Sequence, residues 1–324
     1  MVLQIHPLGL GGQEMWNHLP ARGIVGPNPA DRKHLKAAPT ALWRGSIEAK
    51  LMTEKTLAPS ARPVAAYLGG KRKLARRICA LIDAHDHRTY PEPFVGMGGV
   101  FLRRRFRPGA EIVNDRSREV YTLFRMLQEH YVAFLDVLRF QITTQANFER
   151  LVAVDPDTLT DLQRAARFLY LQRLAFGGKI SGRNFGLDHG RPARFNLTTL
   201  EPDLEALHER LSGVTITCLD YAAFIDRVDR PGVLFYLDPP YFGSESDYGK
   251  GSFERADFAR IDERLRGLSG DFLLSINDRP EIRDLFGWAH IQPIDTTYTV
   301  GVDGNCYRAA ELLISSWALA EGKD

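Results

Sequence analysis

The densest chemistry in the sequence is Asp238-Pro239-Pro240-Tyr241, which closes the apolar run Val233 to Leu237. A run rich in branched and aromatic residues predicts a buried strand. Two prolines remove two backbone donors and fix φ, so the strand must stop there. What remains is a rigid corner carrying a carboxylate, a carbonyl without a ladder partner and an aromatic ring. At the carboxyl end of a strand in an open α/β sheet, that corner lies where ligands bind. An exocyclic amine on a base is a poor nucleophile because its lone pair is delocalised into the ring. Two acceptors taking its two N–H protons localise that pair and aim it outward. Asp238 and the Pro239 carbonyl have the chemistry for this, and the Tyr241 ring can stack on the base.

Four further stretches must position that corner. Tyr67-Leu68-Gly69-Gly70-Lys71 precedes a helical pattern from Leu74 to His85; its glycines permit close backbone approach to a ligand, with a lysine at the helix entry. Tyr90-Pro91-Glu92-Pro93-Phe94-Val95-Gly96-Met97-Gly98-Gly99 reads as strand, Gly-rich turn and helix start, a first βα unit. Phe101 stands where a dinucleotide fingerprint needs its third glycine, which disfavours a pyrophosphate site. Glu111 to Asp115 is a short strand ending in an acid about 20 residues after the Gly loop, where a carboxylate accepts from ribose hydroxyls; Asp115 also suits the cap of the helix expected over Val120 to Leu127. Val214 to Tyr221 is another strand carrying an acid, Asp220, with helix capping as its alternative use.

Together these stretches resemble the Dam-like adenine-N6 DNA methyltransferases: an aromatic-x-Gly-Gly-Lys segment, Glu-Pro-Phe-x-Gly-x-Gly, a strand-end Asp and Asp-Pro-Pro-Tyr, in that order between residue 63 and about residue 317. The family often has Trp where this chain has Tyr67. The resemblance implies a Rossmann-like S-adenosylmethionine-dependent α/β fold with helices on both faces and an inserted, mainly helical target-recognition domain. It implies cofactor contacts from Tyr67, Lys71, Phe94, Gly96, Asp115, Asp220 and Asp238, and catalysis by Asp238, Pro239, Pro240 and Tyr241. The implied reaction is direct methyl transfer to the N6 of adenine in double-stranded DNA, with no metal, in an enzyme of the phage, prophage or restriction-modification kind. Other amine substrates (cytosine-N4, RNA adenine, a protein amide) and an inactive nucleic-acid-binding homologue are the alternatives.

The chain has 324 residues, 44% hydrophobic and 25% charged, with a formal net charge of +2. That is ordinary for a globular protein, and charge must be judged locally. The 3 cysteines lack metal or disulfide spacing. No apolar run spans a membrane, and a cytoplasmic monomer is expected. Residues 1–60 read as a poorly ordered extension, with Met52 as a candidate alternative start. Residues 61–139 and 208–324 form the expected catalytic domain, and 140–207 the recognition insert. There Arg164, Arg167, Arg173, Lys179, Arg183, Arg191 and Arg194 interleave with Phe and Gly, a composition suited to phosphate contact. Arg183 and Asn184, flanked by glycines, are expected to read base edges; Arg173, Lys179 and Arg194 are expected to meet DNA around them.

Overall fold

The computed structural model describes residues 56–187, 190, 192–245, 251, 253–299 and 306–320. The expected N-terminal extension up to residue 55, Met52, most of the Asp188-His189-Gly190 turn and residues 246–250 after the Pro-Pro corner lie outside the described residues.

Nine strands and nine α-helices are described. In chain order they are β1 (Thr56–Leu57), α1 (Ala75–Ala84), β2 (Thr89–Glu92), β3 (Phe106–Arg107), β4 (Ala110–Asn114), α2 (Arg118–Glu129), α3 (Tyr131–Arg139), α4 (Gln145–Ala153) and α5 (Asp161–Leu174). Then follow α6 (Leu197–Leu211), β5 (Thr215–Thr217), α7 (Tyr221–Val228), β6 (Leu234–Leu237), α8 (Arg255–Arg266), β7 (Asp271–Asn277), α9 (Pro280–Leu285), β8 (His290–Thr299) and β9 (Cys306–Ser315). Strands β2, β4 and β5 pair in parallel in the order β2-β4-β5, and the other sheet runs β6-β7-β9-β8 with β9 antiparallel to both neighbours. A parallel bridge from Thr89 to Val233 joins β2 to the start of β6. The continuous order is therefore β5-β4-β2-β6-β7-β9-β8, and it reverses direction between β2 and β6.

The run from Val233 to Leu237 is apolar throughout because both faces of β6 are covered. Leu234 and Tyr236 pack into one hydrophobic cluster; Val233, Phe235 and Leu237 pack into the other. The strand ends at Leu237, one residue before Asp238-Pro239. The helix expected after the Gly loop shortens to one 3-10 turn, Phe101–Arg103. Pro108 lies only five residues on, and Arg104 leaves the turn to put its guanidinium 3.8 Å from the centre of the Tyr90 ring and to bond Glu111.

Helices α3 to α6 share the sheet's core. Phe148, Phe168, Leu200 and Leu204 belong to the same cluster as Tyr90, Val113 and Phe124. Helix α5 starts at a capping box, Thr160 with Gln163, and is buried on nearly every side, including Arg164, Arg167 and Gln172. Its arginines face inward. Arg167 donates to Glu119 at 2.7 Å and to the Leu151 carbonyl at 2.7 Å, and Arg164 bonds Asp157. The expectation that these two contribute to a phosphate-facing surface is thereby corrected: they tie α5 to the elements around it.

A second internal charge cluster fastens the strands beneath the Gly loop. Arg210 is fully buried and donates to Glu111 at 2.7 and 2.8 Å, while Arg104 donates to the same carboxylate at 3.1 Å. Removing one member of such a cluster strands the rest without compensation. Glu111→Ala should lower stability by about 3–5 kcal/mol. In urea denaturation the midpoint should fall with the slope unchanged; an unmoved midpoint would show that the arginines find other partners.

Candidate active site

The carboxyl ends of β2, β4 and β6 meet where the strand order reverses, and a cavity of about 1020 Å³ opens there. Tyr67, Lys71, Phe94, Gly96, Asp115 and Asp238 line it, together with Pro240. Six of the seven residues expected at the cofactor are thus brought together from four separate stretches.

Lys71 comes from the turn before α1, where the Gly70 N–H donates to the Tyr67 carbonyl at 3.1 Å and the Ala75 N–H to the Lys71 carbonyl at 2.7 Å. Lys71 is 2% exposed, and its ammonium lies 2.6 Å from Asp238 Oδ1. It also donates to the Tyr241 hydroxyl at 2.9 Å. Ser275, buried in β7, donates to the same Asp238 oxygen at 3.2 Å and shares a hydrogen bond of 2.8 Å with Tyr236. Asp238 keeps 20% of its side chain exposed. Burial pushes its carboxyl up from the usual range, and Lys71 and Ser275 pull it back. Burial, then Asp238 and Glu311, push the Tyr241 phenol far up, so it remains a donor at any ordinary pH.

The corner beyond Pro240 is held by Asn277 at the end of β7. Its side chain accepts from the Phe242 N–H and donates to the Phe242 carbonyl, both at 2.9 Å. Tyr241 itself is half-buried and is not among the residues lining the cavity.

Asp115 accepts from the N–H of Gly96 at 2.9 Å and of Ser117 at 2.8 Å. Burial raises its carboxyl to about 6 against those two backbone donors. Gly96 takes φ +49°, and a Cβ there would stand 3.0 Å from the Tyr67 ring, so the loop meets the aromatic wall with no room for a side chain. Asp220 is not brought into the cavity. It caps α7 by accepting from Ala222 and Ala223, and Arg260 holds both its oxygens at 2.8 and 3.2 Å. The expected contact of Asp220 with the cofactor is corrected accordingly: it takes the capping use and stays outside the cavity lining. The neighbouring Tyr221 lines the cavity instead, forming an aromatic cluster with Phe94 and Phe253 at ring distances of 5.2 to 6.1 Å.

Of the expected DNA contacts, two point inward. Arg183 lies 3.4 Å from Glu119 with its side chain 9% exposed, and bonds Gln172 as well. Arg173 donates to the carbonyls of Arg194 and Val64 at 2.7 and 2.5 Å and lines the cavity. Base reading by Arg183 and phosphate contact by Arg173 are both corrected: buried carboxylate and carbonyl acceptors draw the guanidiniums in. Arg194 is half-buried beside Gly186, and Lys179 and Asn184 are exposed. These two sit on a loop whose base is tied by the bridge of Ala175 to Phe185 and by the Phe176 N–H donating to the Asn184 carbonyl at 3.0 Å. Gly178, at φ +68°, approaches the Ala66–Tyr67 backbone so closely that a Cβ would lie 3.1 Å from it. Among the described residues no group of three His, Cys, Asp or Glu side chains could hold a metal ion, and no helix is long and apolar enough to cross a membrane.

Sequence reasoning did not find Glu92, Tyr221, Ser275 or Glu311 at this site. Glu92 accepts from Tyr90 at 3.0 Å, and burial pushes its carboxyl well up. Glu311 accepts from Tyr241. The signal for Glu311 was present: a lone acid beside Leu312-Leu313-Ile314 in a buried strand has to be matched by a partner.

Strand order and cavity position define a Rossmann-like fold of the S-adenosylmethionine-dependent methyltransferase kind, with the ligand crevice at the switch point. Within that class the chain belongs to the D12 class of N6 adenine-specific DNA methyltransferases, whose family model matches residues 67–300. It is 24% identical over 277 residues to the Type II methyltransferase M1.LlaDCHI of Lactococcus lactis subsp. cremoris, covering 79% of this chain and 95% of that protein. It is 27% identical over 240 residues to a DNA adenine methylase of Salmonella typhi, covering 69% and 84%. It is 26% identical over 278 residues to the DNA N-6-adenine-methyltransferase of Escherichia phage P1, covering 80% of this chain and 36% of that protein. The reaction is transfer of a methyl group from S-adenosylmethionine to the exocyclic N6 of adenine in DNA.

The cavity fits that cofactor. The carboxylates of Asp115 and Asp238 suit a molecule carrying ammonium and sulfonium charge, and the Phe94, Tyr221 and Phe253 rings offer faces for a purine.

The inward placement of Arg183 sets an expected outcome. Arg183→Ala should cost about 1–3 kcal/mol of stability, the scale for stranding a buried charged partner, and should leave the ranking of DNA sites by methylation rate unchanged. An unaltered urea midpoint together with an altered ranking would put the side chain back on the DNA.

Proposed function

We propose that the chain is a site-specific enzyme on double-stranded DNA, acting as a cytoplasmic monomer without a metal, and that the Asp238 corner is where the target adenine meets the methyl donor. The observation that carries this reading is the carboxylate geometry. Asp238 lines the cavity with Oδ1 engaged by Lys71 and Ser275, which leaves Oδ2 to accept from an incoming amine. Its carboxylate and the Pro239 carbonyl accept hydrogen bonds from the two N–H groups of the adenine amine, one of whose protons is released when the methyl is transferred. Pro240 holds the corner rigid, and Tyr241 stacks on the base once it has left the helix. Bound S-adenosylmethionine supplies the electrophilic methyl group. Tyr67, Lys71, Phe94, Gly96 and Asp115 hold and orient it, with Asp115 accepting from ribose hydroxyls on the lone pairs its backbone donors leave. Positioning and fixed charges supply the acceleration.

Residues 140–207 are assigned to target recognition. Support comes from the exposed tip that carries Lys179 and Asn184 and from the tie between its base and the cavity wall at Ala66–Tyr67. Catalysis is assigned to 61–139 and 208–324.

Asp238→Ala should lower single-turnover methylation of duplex DNA by about 10²-fold or more while leaving S-adenosylmethionine binding measurable by calorimetry. Nucleoside mass spectrometry identifies the product. A variant that keeps wild-type turnover would remove Asp238 from the reaction, and methylcytosine in place of N6-methyladenine would overturn the substrate assignment.

Asp115 sets a pH dependence. Its carboxyl titrates at about 6, above the ordinary carboxylate range, and only the ionised form accepts fully. Cofactor affinity should hold above that pH and weaken as pH falls through it, approaching tenfold per unit between roughly pH 5 and 6. Asp115→Asn should flatten the profile. A wild-type affinity that is flat over this range would exclude Asp115 as the group that matters.

A further inference from the structure

Glu311 sits in β9, in register with Asn277 across the β7–β9 pair. The two neighbours grip the same corner from adjacent strands. Asn277 holds the backbone of Phe242, and Glu311 holds the side chain of Tyr241. Oε1 of Glu311 accepts from the Tyr241 hydroxyl at 2.5 Å, and Oε2 lies 3.9 Å from Lys71 Nζ. Lys71 donates into the same phenol oxygen at 2.9 Å. The hydroxyl is therefore donor and acceptor at once, fixed between a group from β9 and a group from the entry to α1.

The carboxylate is costly where it stands. Glu311 is fully buried and continues into Leu312, Leu313 and Ile314, all fully buried. A buried acid among aliphatic residues is retained when it does something that packing does not. Here it accepts from Tyr241 and stands beside the Lys71 ammonium. A phenol held at its oxygen by partners from two different elements cannot swing about Cα–Cβ without breaking a charge-assisted bond.

We propose that Glu311 is a positioning residue of the methyl transfer: acting through the phenol hydroxyl, it holds in place the Tyr241 ring, the surface on which the target adenine stacks. This rests on the reading of the Asp238–Tyr241 corner as the adenine pocket. Glu311 touches neither substrate nor cofactor. Its effect falls on the rate of the bound complex, and it reaches the base only by way of Tyr241.

A double-mutant cycle tests it. Glu311→Ala and Tyr241→Phe should each lower the single-turnover rate roughly 10- to 100-fold, the scale of one hydrogen bond to a charged group. Combined, they should lower it no further than the more severe single variant, within about twofold. Affinity for S-adenosylmethionine should change less than about threefold, within the span expected where no direct contact is lost. Glu311→Gln, which keeps an acceptor, should recover part of the rate; if the Ala variant does not fold, Gln takes its place in the cycle. With 2-aminopurine at the target position, the Ala and Phe variants should both emit more strongly than wild type, because stacking on a fixed ring quenches the base. Multiplying rate effects, or a loss confined to cofactor affinity, would overturn the role of Glu311. A wild-type enzyme that leaves adenine in DNA unmethylated would instead sink the reading of the pocket, so the two failures are told apart.

Discussion

One buried ammonium organises this molecule. Lys71 is withdrawn from solvent and sits within hydrogen-bonding reach of Asp238 and Tyr241, with Glu311 just beyond. An ammonium in that position is tolerable only when carboxylates surround it, and those carboxylates are tolerable only because it is there. The condition links the turn before α1, the end of β6 and the middle of β9, three segments distant in sequence. Each reaches the cavity by way of the same charge. The parallel strands bring their carboxyl ends to one edge, and the ion cluster decides how those ends are knit together.

The chemistry-bearing corner was legible because proline leaves so few options. Val233 to Leu237 had to be a strand covered on both faces, and it had to stop before Asp238-Pro239, as it does. The helices with clear periodicity also fall where expected: Val120 to Leu127 lies within Arg118–Glu129, and Leu74 to His85 is matched by Ala75–Ala84. The Gly loop and the Asp115 strand end follow the same rule, that a local pattern with one outcome can be read locally.

The arginines of the insert were misread for the opposite reason. Composition records that guanidiniums are dense between residues 164 and 194 and is silent on which way they point. Arg164, Arg167, Arg173 and Arg183 turn inward because Asp157, Glu119 and a set of backbone carbonyls wait for them there, contributed by segments up to about a hundred residues away. The helices of the insert pack into the sheet's own core, so they need internal polar ties, and Arg offers five donors in one planar group. Asp220 failed in the same manner, since the capping use and the ligand use have one sequence signature and only the reach of Arg260 separates them. Glu311 shows in sequence only as an acid in need of a partner; which partner it meets is set by the β7–β9 pairing and by the turn of the corner beyond Pro240.

Gln172 gives the loop above the cavity an unusual property. Its side-chain amide donates at 2.8 Å to the carbonyl of Ala66 and at 2.7 Å to that of Gly178, so a single group staples the base of the loop to the segment leading into Tyr67. Gly178 allows the two backbones to meet at that point. The tip, from Lys179 to Asn184, lies beyond the staple. Two tip residues nevertheless reach back past the staple: Ile180 lines the cavity, and Arg183 donates to Gln172 and Glu119. The fold thus leaves Lys179, Ser181, Gly182 and Asn184, the exposed positions of the tip, as the part that evolution can rewrite, and a grafted tip should keep Ile180 and Arg183 as its mounting.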